Sequence, residues 1–298
     1  MREETNMRIA GIDIGGTSIK LGVFDTSLGL VATEKIMTGD ADPEKMADGI
    51  AEFVNRSQVE LCGVGTAGNV NSREGLVTAD NLRWNRVPLR DMLAERVNMR
   101  VWVDNDANAA LMAEFYDGAC RSVETAVQIT LGTGVGGAAI INGHPWRGHT
   151  NTACEFGHII THADGLQCAC GHKGCFEAYA SAKALLRITG AETVPQIMSA
   201  LDAGDETMRK RFAEYIHELS IGMTSIIMTF APQVFVIGGG LAGMGDRLLL
   251  PIRAELDRTF AHHPEYLTCG IHLAKHGNDA GMIGAAMLAL EMGGSTAR

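Results

Sequence analysis

Positive charge is in short supply. The 298 residues carry 25 lysines and arginines against 35 aspartates and glutamates, a formal net charge of −10 with a pI near 5.5. An acidic surface repels phosphate backbones, which argues against a general nucleic-acid binder but leaves room for a nucleotide in a local site. Prolines number only seven and aromatic residues make up 5%. Glycine is the reverse case: 36 residues, about 12% against roughly 7% in ordinary chains. Glycine in excess without proline and without a three-residue period is not collagen-like. It marks places where the backbone turns tightly or approaches something closely. With 46% hydrophobic and 20% charged residues the composition is otherwise that of a globular protein, which excludes a disordered or fibrous chain. The length suits two domains or one large α/β barrel.

Other absences narrow the field. Residues 1–8 are polar and charged with no apolar stretch, so no secretion signal is expected. Residues 219–245 carry no charge, but Pro232, Gln233 and Gly238-Gly239-Gly240 interrupt them; they read as a buried helix, a turn, a buried strand and a glycine turn rather than a membrane span. Seven cysteines, an odd number without an export signal, do not make a disulfide framework. The phosphate loop G-x-x-x-x-G-K-[ST] is missing. G-x-G-x-x-G occurs at Gly63/Gly65/Gly68 and Gly132/Gly134/Gly137, but neither third glycine leads into a helix, as a dinucleotide site requires. A soluble cytoplasmic protein is expected.

What is present alternates short strands with amphipathic helices. Residues 8–14 form an apolar run ending in Gly15-Gly16-Thr17, and 19–24 resume the alternation, a β-hairpin that turns on a glycine loop. Residues 43–56 read as a helix with Met46, Ile50, Phe53 and Val54 on one face. Residues 59–64 read as a strand followed by a glycine turn, the stretch after Gly68 as a loop, 88–97 as a helix and 101–103 as a strand. Asp104-Asn105-Asp106 then open a helix to about Tyr116, aspartate and asparagine being natural N-caps. Residues 126–141 repeat the first hairpin around Gly132-Thr133-Gly134, which predicts two similar α/β halves. Beyond residue 180 the chain turns mainly helical, gives a strand at 234–237 and the turn Gly238-Gly239-Gly240, and ends in a helix at about 279–292.

Three features could carry chemistry. The glycine turns at 15–17, 132–137 and 238–240 expose successive backbone N–H groups of the kind that cradle phosphates. Asp106 sits at a helix start, where the helix dipole keeps a carboxylate ionised and ready to accept a proton, although capping alone would account for its neighbours. His158, Cys168, Cys170 and Cys175 offer three sulfurs and one nitrogen, the donor set of a tetrahedral structural zinc site, with Gly171 and Gly174 letting the loop fold tightly; His162 and His172 compete for the nitrogen position. Glu155 and Glu177 flank this loop, where a metal would fix both carboxylates to accept hydrogen bonds from a polyol. Alone, either is a solvated surface charge.

In this order, Asp13-Ile14-Gly15-Gly16-Thr17, Asn81-Leu82-Arg83-Trp84, Asn105-Asp106-Ala107-Asn108, the LGTGVGG of residues 131–137, Glu155-Phe156-Gly157-His158, the Cys168–Cys175 loop, Glu177 and Gly238-Gly239-Gly240 resemble the ROK (repressor, open reading frame, kinase) family of bacterial sugar kinases over essentially the whole chain. The resemblance implies the actin-like ATPase (ribonuclease H-like) fold, two α/β domains with ATP and sugar in the cleft between them. The domains would be residues 1–116 and 117–278, with a C-terminal helix at 279–298 packed back on the first. Asp106 would be the general base for a hexose hydroxyl, the 6-OH. Asn81, Asn105, Glu155, His158 and Glu177 would bind the other hydroxyls, joined by Gly68 and Asn69 in a loop whose residues vary within the family. Gly15, Gly16, Thr17, Gly132, Thr133 and Gly134 would hold the phosphates of ATP, Gly239 and Gly240 would lie near the adenosine, and Asp13 would orient Mg2+. The structural Zn2+ would be held by His158, Cys168, Cys170 and Cys175, with the second ring nitrogen of His158 facing a sugar hydroxyl. Ser18 departs from the Lys or Asn that many members carry.

The resemblance points to a glucose-type hexose, with an N-acylhexosamine (N-acetylmannosamine or N-acetylglucosamine) as the alternative. Repressors of the family carry a helix-turn-helix domain ahead of the first Gly-Gly-Thr; here twelve residues precede Asp13 and the chain is acidic, so no nucleic-acid partner is expected, and the interrupted run at 219–245 leaves no membrane partner expected either. A homodimer, or a tetramer, is expected on the same resemblance.

Overall fold

The structure, a computed structural model, describes residues 7–267 and 269–294. Residues 1–6, part of the segment read as lacking an export signal, and residues 295–298, the end of the expected C-terminal helix, lie outside the described residues. The chain divides into two compact units. The first holds the described residues up to Asp117, together with Arg147–Ala153 and those from Asp279 onward; the second holds Gly118–Trp146 and Cys154–Asn278.

In chain order the first unit contributes β1 (Ile9–Ile14), β2 (Ser18–Phe24), β3 (Leu30–Met37), α1 (Pro43–Ser57), β4 (Leu61–Thr66), β5 (Asn69–Asn71), β6 (Leu76–Ala79), β7 (Trp84–Val87), α2 (Leu89–Val97), β8 (Val101–Asn105) and α3 (Asp106–Asp117). The second contributes β9 (Ala126–Leu131), β10 (Val135–Ile141), β11 (His144–Pro145), α4 (Glu177–Ala180), α5 (Ala182–Thr189), α6 (Val194–Asp202), α7 (Glu206–Phe230), β12 (Val234–Gly238), α8 (Asp246–Thr259) and β13 (Gly270–Leu273). The chain then returns to the first unit with α9 (Ala280–Gly294).

The two main sheets repeat one design. The first has the order β3-β2-β1-β4-β8, the second β11-β10-β9-β12-β13. In each, a hairpin-linked set of three antiparallel strands is followed by two strands that pair in parallel. The duplication seen in the two glycine hairpins therefore extends to whole sheets. Two readings of the sequence need correction. Residues 69–87 are not a loop but a small antiparallel sheet, β5-β6-β7. Gly63 and Gly65 do not form a turn after a strand; they lie inside β4.

The reason is packing. One face of the first sheet sends Ala10, Ile12, Ile14, Cys62, Val64, Val101 and Val103 into a core with Ile50 and Phe53 of α1 and Leu89 and Leu93 of α2. Helix α1 is well started for this role: Asp42 accepts hydrogen bonds from the N–H groups of Glu44 (2.9 Å) and Lys45 (3.2 Å), a cap worth about 1 kcal/mol. The opposite face presents Gly11, Gly63 and Gly65 to α9 and α3. A Cβ at Gly63 would stand 1.8 Å from the Ala285 carbonyl oxygen of α9, and one at Gly11 would stand 2.1 Å from that of Met282. The helix backbone rests directly on the sheet, with no side chain between. We expect Gly63→Ala to cost about 3 kcal/mol or more, since backbone rather than a flexible side chain must yield; thermal or denaturant unfolding checks it.

In the second unit Val127, Ile129 and Leu131 of β9 and Phe235 and Ile237 of β12 pack with Phe212, Tyr215, Leu219, Met223 and Ile226 of α7. The uncharged stretch 219–245 is thus the end of α7, then β12 and its glycine turn. Among the described residues no helix is long and apolar enough to cross a membrane.

Candidate active site

The end of β8 and the start of α3 bring three polar residues together, and each has a different job. Asn105 is the cap: its Oδ1 accepts hydrogen bonds from the N–H of Ala107 (2.8 Å) and of Asn108 (3.4 Å), while its Nδ2 donates to the Gly68 carbonyl (2.9 Å). Asp104 is buried and anchors the turn. Its Oδ1 accepts from the Asn105 N–H (2.8 Å) and Asn108 Nδ2 (2.9 Å), and its Oδ2 from Nε (2.7 Å) and Nη2 (2.6 Å) of Arg147. Asp106 is half-buried at the first position of α3, one carboxylate oxygen 2.9 Å from the Ala107 N–H. Capping therefore accounts for Asn105 and anchoring for Asp104, and neither role requires a carboxylate at 106. Gly68 serves the same turn: it has φ +94°, and a Cβ there would meet the Thr78 carbonyl at 2.4 Å. Asn69 is exposed at the start of β5.

The loop Gly15-Gly16-Thr17 joins β1 to β2. It is closed by Gly15 N–H to Ser18 O (3.0 Å) and held by the Thr38 hydroxyl donating to Gly15 O (2.7 Å). Gly16 and Thr17 are exposed. A Cβ on Gly16 would stand 3.2 Å from Nδ2 of Asn81, so this loop and Asn81 lie side by side. Asp13, near the end of β1, has its carboxyl held above the ordinary carboxylate range, chiefly by burial, with Lys20 opposing and Asp279 adding to the rise. A carboxylate so placed gains from a nearby cation.

In the second unit the Gly132-Thr133-Gly134 loop joins β9 to β10 and is braced by the segment after the cysteine loop. Gly132 O accepts from the Ala182 N–H (2.8 Å), and Glu177 Oε2 accepts from the Val135 N–H (2.9 Å). Glu177 thus already has one oxygen committed to the loop. Gly239 also has a reason within its own chain: a Cβ there would stand 2.5 Å from the Leu131 carbonyl. Gly132 and Gly240 differ. Neither has positive φ, and a Cβ at either would meet nothing within 4 Å. The fold does not require these two glycines, which fits a ligand approaching them closely. We expect Gly132→Ala to leave the unfolding free energy within about 1 kcal/mol of wild type while raising KM for the nucleotide; steady-state kinetics beside thermal unfolding decides it.

The cysteine loop gathers its donors. One ligand atom from each of His158, Cys168, Cys170 and Cys175 lies within 4.8 Å of every other. Cys170 Sγ is 3.5 Å from Cys175 Sγ, and His158 Nδ1 is 3.9 Å from Cys168 Sγ. A tetrahedral zinc with Zn–S of about 2.3 Å would place its ligands about 3.8 Å apart, so the donor set fits. The His172 backbone lowers the Cys170 thiol to about 6, while burial raises Cys175 to about 12. His162 is engaged elsewhere: its Nε2 is 3.2 Å from Glu218, its Nδ1 is 3.0 Å from the Thr161 hydroxyl, and its ring stacks on Tyr179 with centroids 4.0 Å apart. His172 Nδ1 is 3.5 Å from Cys170 Sγ but is not in the mutually close set. With Nδ1 of His158 toward the sulfurs, Nε2 remains for another partner. Glu155 is exposed beside His158 and follows Cys154, a non-glycine residue at φ +64°, a strained conformation next to a candidate binding residue.

Two features escaped the sequence. Arg147 carried no local signal, since its role depends on a carboxylate 43 residues away. The left-handed Cys154 could not be seen without the backbone.

The sequence model of the ROK family matches residues 9–292. The sequence is 36% identical to a glucokinase of Streptomyces coelicolor, over 94% of this chain and 97% of that one. It is 32% identical to an N-acetyl-D-glucosamine kinase of Escherichia coli O9:H4, over 94% and 98%. The fold matches the crystal structure of a ROK family glucokinase from Streptomyces griseus in complex with glucose and AMPPNP, with a TM-score of 0.80 and 34% identity, covering 95% of this chain and 99% of that one.

Proposed function

The chain belongs to the ROK family, and we propose that it transfers the terminal phosphoryl group of ATP to a hydroxyl of a glucose-type hexose. It is an ATP-dependent sugar kinase with the actin-like ATPase fold. The observation that carries the mechanism is the division of labour at 104–106: Asp104 and Asn105 hold the turn, and Asp106 stands at the positive end of α3. In this reading Asp106 accepts the proton of the attacking hydroxyl, the 6-OH, as its oxygen bonds to phosphorus and ADP departs. The rest of catalysis is placement and charge neutralisation.

Asn81 and Asn105 of the first unit and Glu155, His158 and Glu177 of the second are the proposed hydroxyl partners, with Gly68 acting through Asn105 and Asn69 beside it. The phosphates are assigned to Gly15, Gly16, Thr17, Gly132, Thr133 and Gly134, and the nucleoside end to Gly239 and Gly240. Asp13 would hold Mg2+, whose charge would neutralise the phosphates. A structural Zn2+ on His158, Cys168, Cys170 and Cys175 would fix the segment between Glu155 and Glu177, supported by the fit of the donor set. A cytoplasmic homodimer is the assembly proposed on family grounds.

The N-acetyl-D-glucosamine kinase relative, at 32% identity, supports a second reading with an N-acylhexosamine as acceptor. Comparing kcat/KM for glucose, N-acetylglucosamine and N-acetylmannosamine separates the two. A preference for either acylated sugar would replace the hexose reading and leave the kinase intact.

A further inference from the structure

A cavity of about 460 Å³ opens along β8, the terminal strand of the first sheet. Four arginines line it, Arg73, Arg90, Arg100 and Arg147, in a chain of net charge −10. Two are occupied. Arg147 holds Asp104, and Arg90 is bound to Asp91 (2.8 Å) and to the carbonyls of Arg73 (3.0 Å) and Glu74 (3.2 Å). Arg73 and Arg100 are exposed and, among the described residues, make no ion pair or side-chain hydrogen bond. Neither has a part in the proposed phosphoryl transfer. The rest of the wall is mostly apolar, Trp102 with Leu288 and Met292 of α9, and includes Ser72 and Asp104, whose carboxylate is paired with Arg147. Two arginines without a counter-charge in the same lining as an indole suit a phosphate attached to a ring, since the fork of arginine recognises phosphate oxygens in pairs and an indole can receive the ring. The volume is that of a small-molecule site.

We propose that this cavity binds a small phosphomonoester, its phosphate at Arg73 and Arg100 and its organic part against Trp102. The site also reaches the catalytic turn. Arg147 lines the cavity and makes two contacts to the buried Asp104, two residues before Asp106.

The test is calorimetric titration of the full-length protein, with MgADP and the hexose held at saturation so that the reaction's own sites are filled. Inorganic phosphate, a hexose 6-phosphate and AMP are the three probes, each applied to wild type and to an Arg73→Ala, Arg100→Ala double variant. At least one ester should bind wild type and bind the variant about tenfold or more weakly. Without added ester the variant should keep wild-type kcat and KM. A stronger response to the hexose phosphate assigns the site to the reaction's product class, and a stronger response to AMP assigns it to a nucleotide. Equal affinity in both proteins, binding of inorganic phosphate alone, or no binding of any probe to wild type overturns the proposal. Ester binding that is lost in the variant upholds the site even in a protein that turns over no hexose.

Discussion

Asp106→Asn is expected to lower kcat by roughly 10²- to 10⁴-fold while the sugar still binds. The substitution is isosteric, and its Oδ1 can still accept from the Ala107 N–H, as the carboxylate does at 2.9 Å. The helix start does not depend on it, because Asn105 supplies the cap. What is lost is the ability to take a proton. Sugar affinity measured by calorimetry and stability measured by unfolding should therefore stay near wild type while turnover collapses. Asp104→Asn is expected to act on stability instead. It withdraws the counter-charge of Arg147, whose side chain is only 22% exposed, and should lower stability by about 2–3 kcal/mol, since an uncompensated guanidinium is left behind. If Asp106→Asn keeps most of its rate, the base lies elsewhere.

The second large effect is expected at the cysteine loop. Purified protein should hold about one equivalent of zinc per chain, and a Cys168→Ser, Cys170→Ser double variant should hold none. The consequence is not confined to the metal. Glu155 and His158 precede the loop, and Glu177 follows it with one oxygen on the Val135 N–H of the β9–β10 hairpin. Freeing the loop releases all three, and a misplacement of about 1 Å at such positions costs on the order of 100-fold in rate. The variant should melt earlier and lose kcat/KM for the sugar. Zinc content unchanged in the variant would refute the ligand set.

Legibility in the sequence followed locality. The cysteine loop was visible because its donors lie within eighteen residues and metal geometry demands particular atoms. The hairpins were visible because alternation and glycine turns are near-neighbour signals. Strand β3 was missed: it is an edge strand whose residues are mostly exposed, so no alternation of apolar and polar positions marks it. The β5-β6-β7 sheet was missed because its strands are three or four residues long and broken by polar turns. The excess of glycine was read as turns. Part of it is instead a contact stripe, Gly11 and Gly63 on the sheet and Gly284 on α9, where a Cβ would stand 1.6 Å from the Ala109 carbonyl. Only the position of α9, more than 200 residues downstream of β4, supplies that reason. The candidate base and a cap beside it could be singled out in the sequence, and Asn105 is that cap, but not the anchoring role of Asp104, because Arg147 enters from a distant segment.

The most direct test of the whole account is an ADP-release assay with MgATP over glucose, mannose, fructose, allose, N-acetylglucosamine and N-acetylmannosamine, with the product identified by phosphorus and carbon NMR. The account predicts sugar-dependent ADP release, greatest with a glucose-type hexose, and one phosphate on the 6-oxygen for each ADP formed. No sugar-dependent release with any of the six would contradict it.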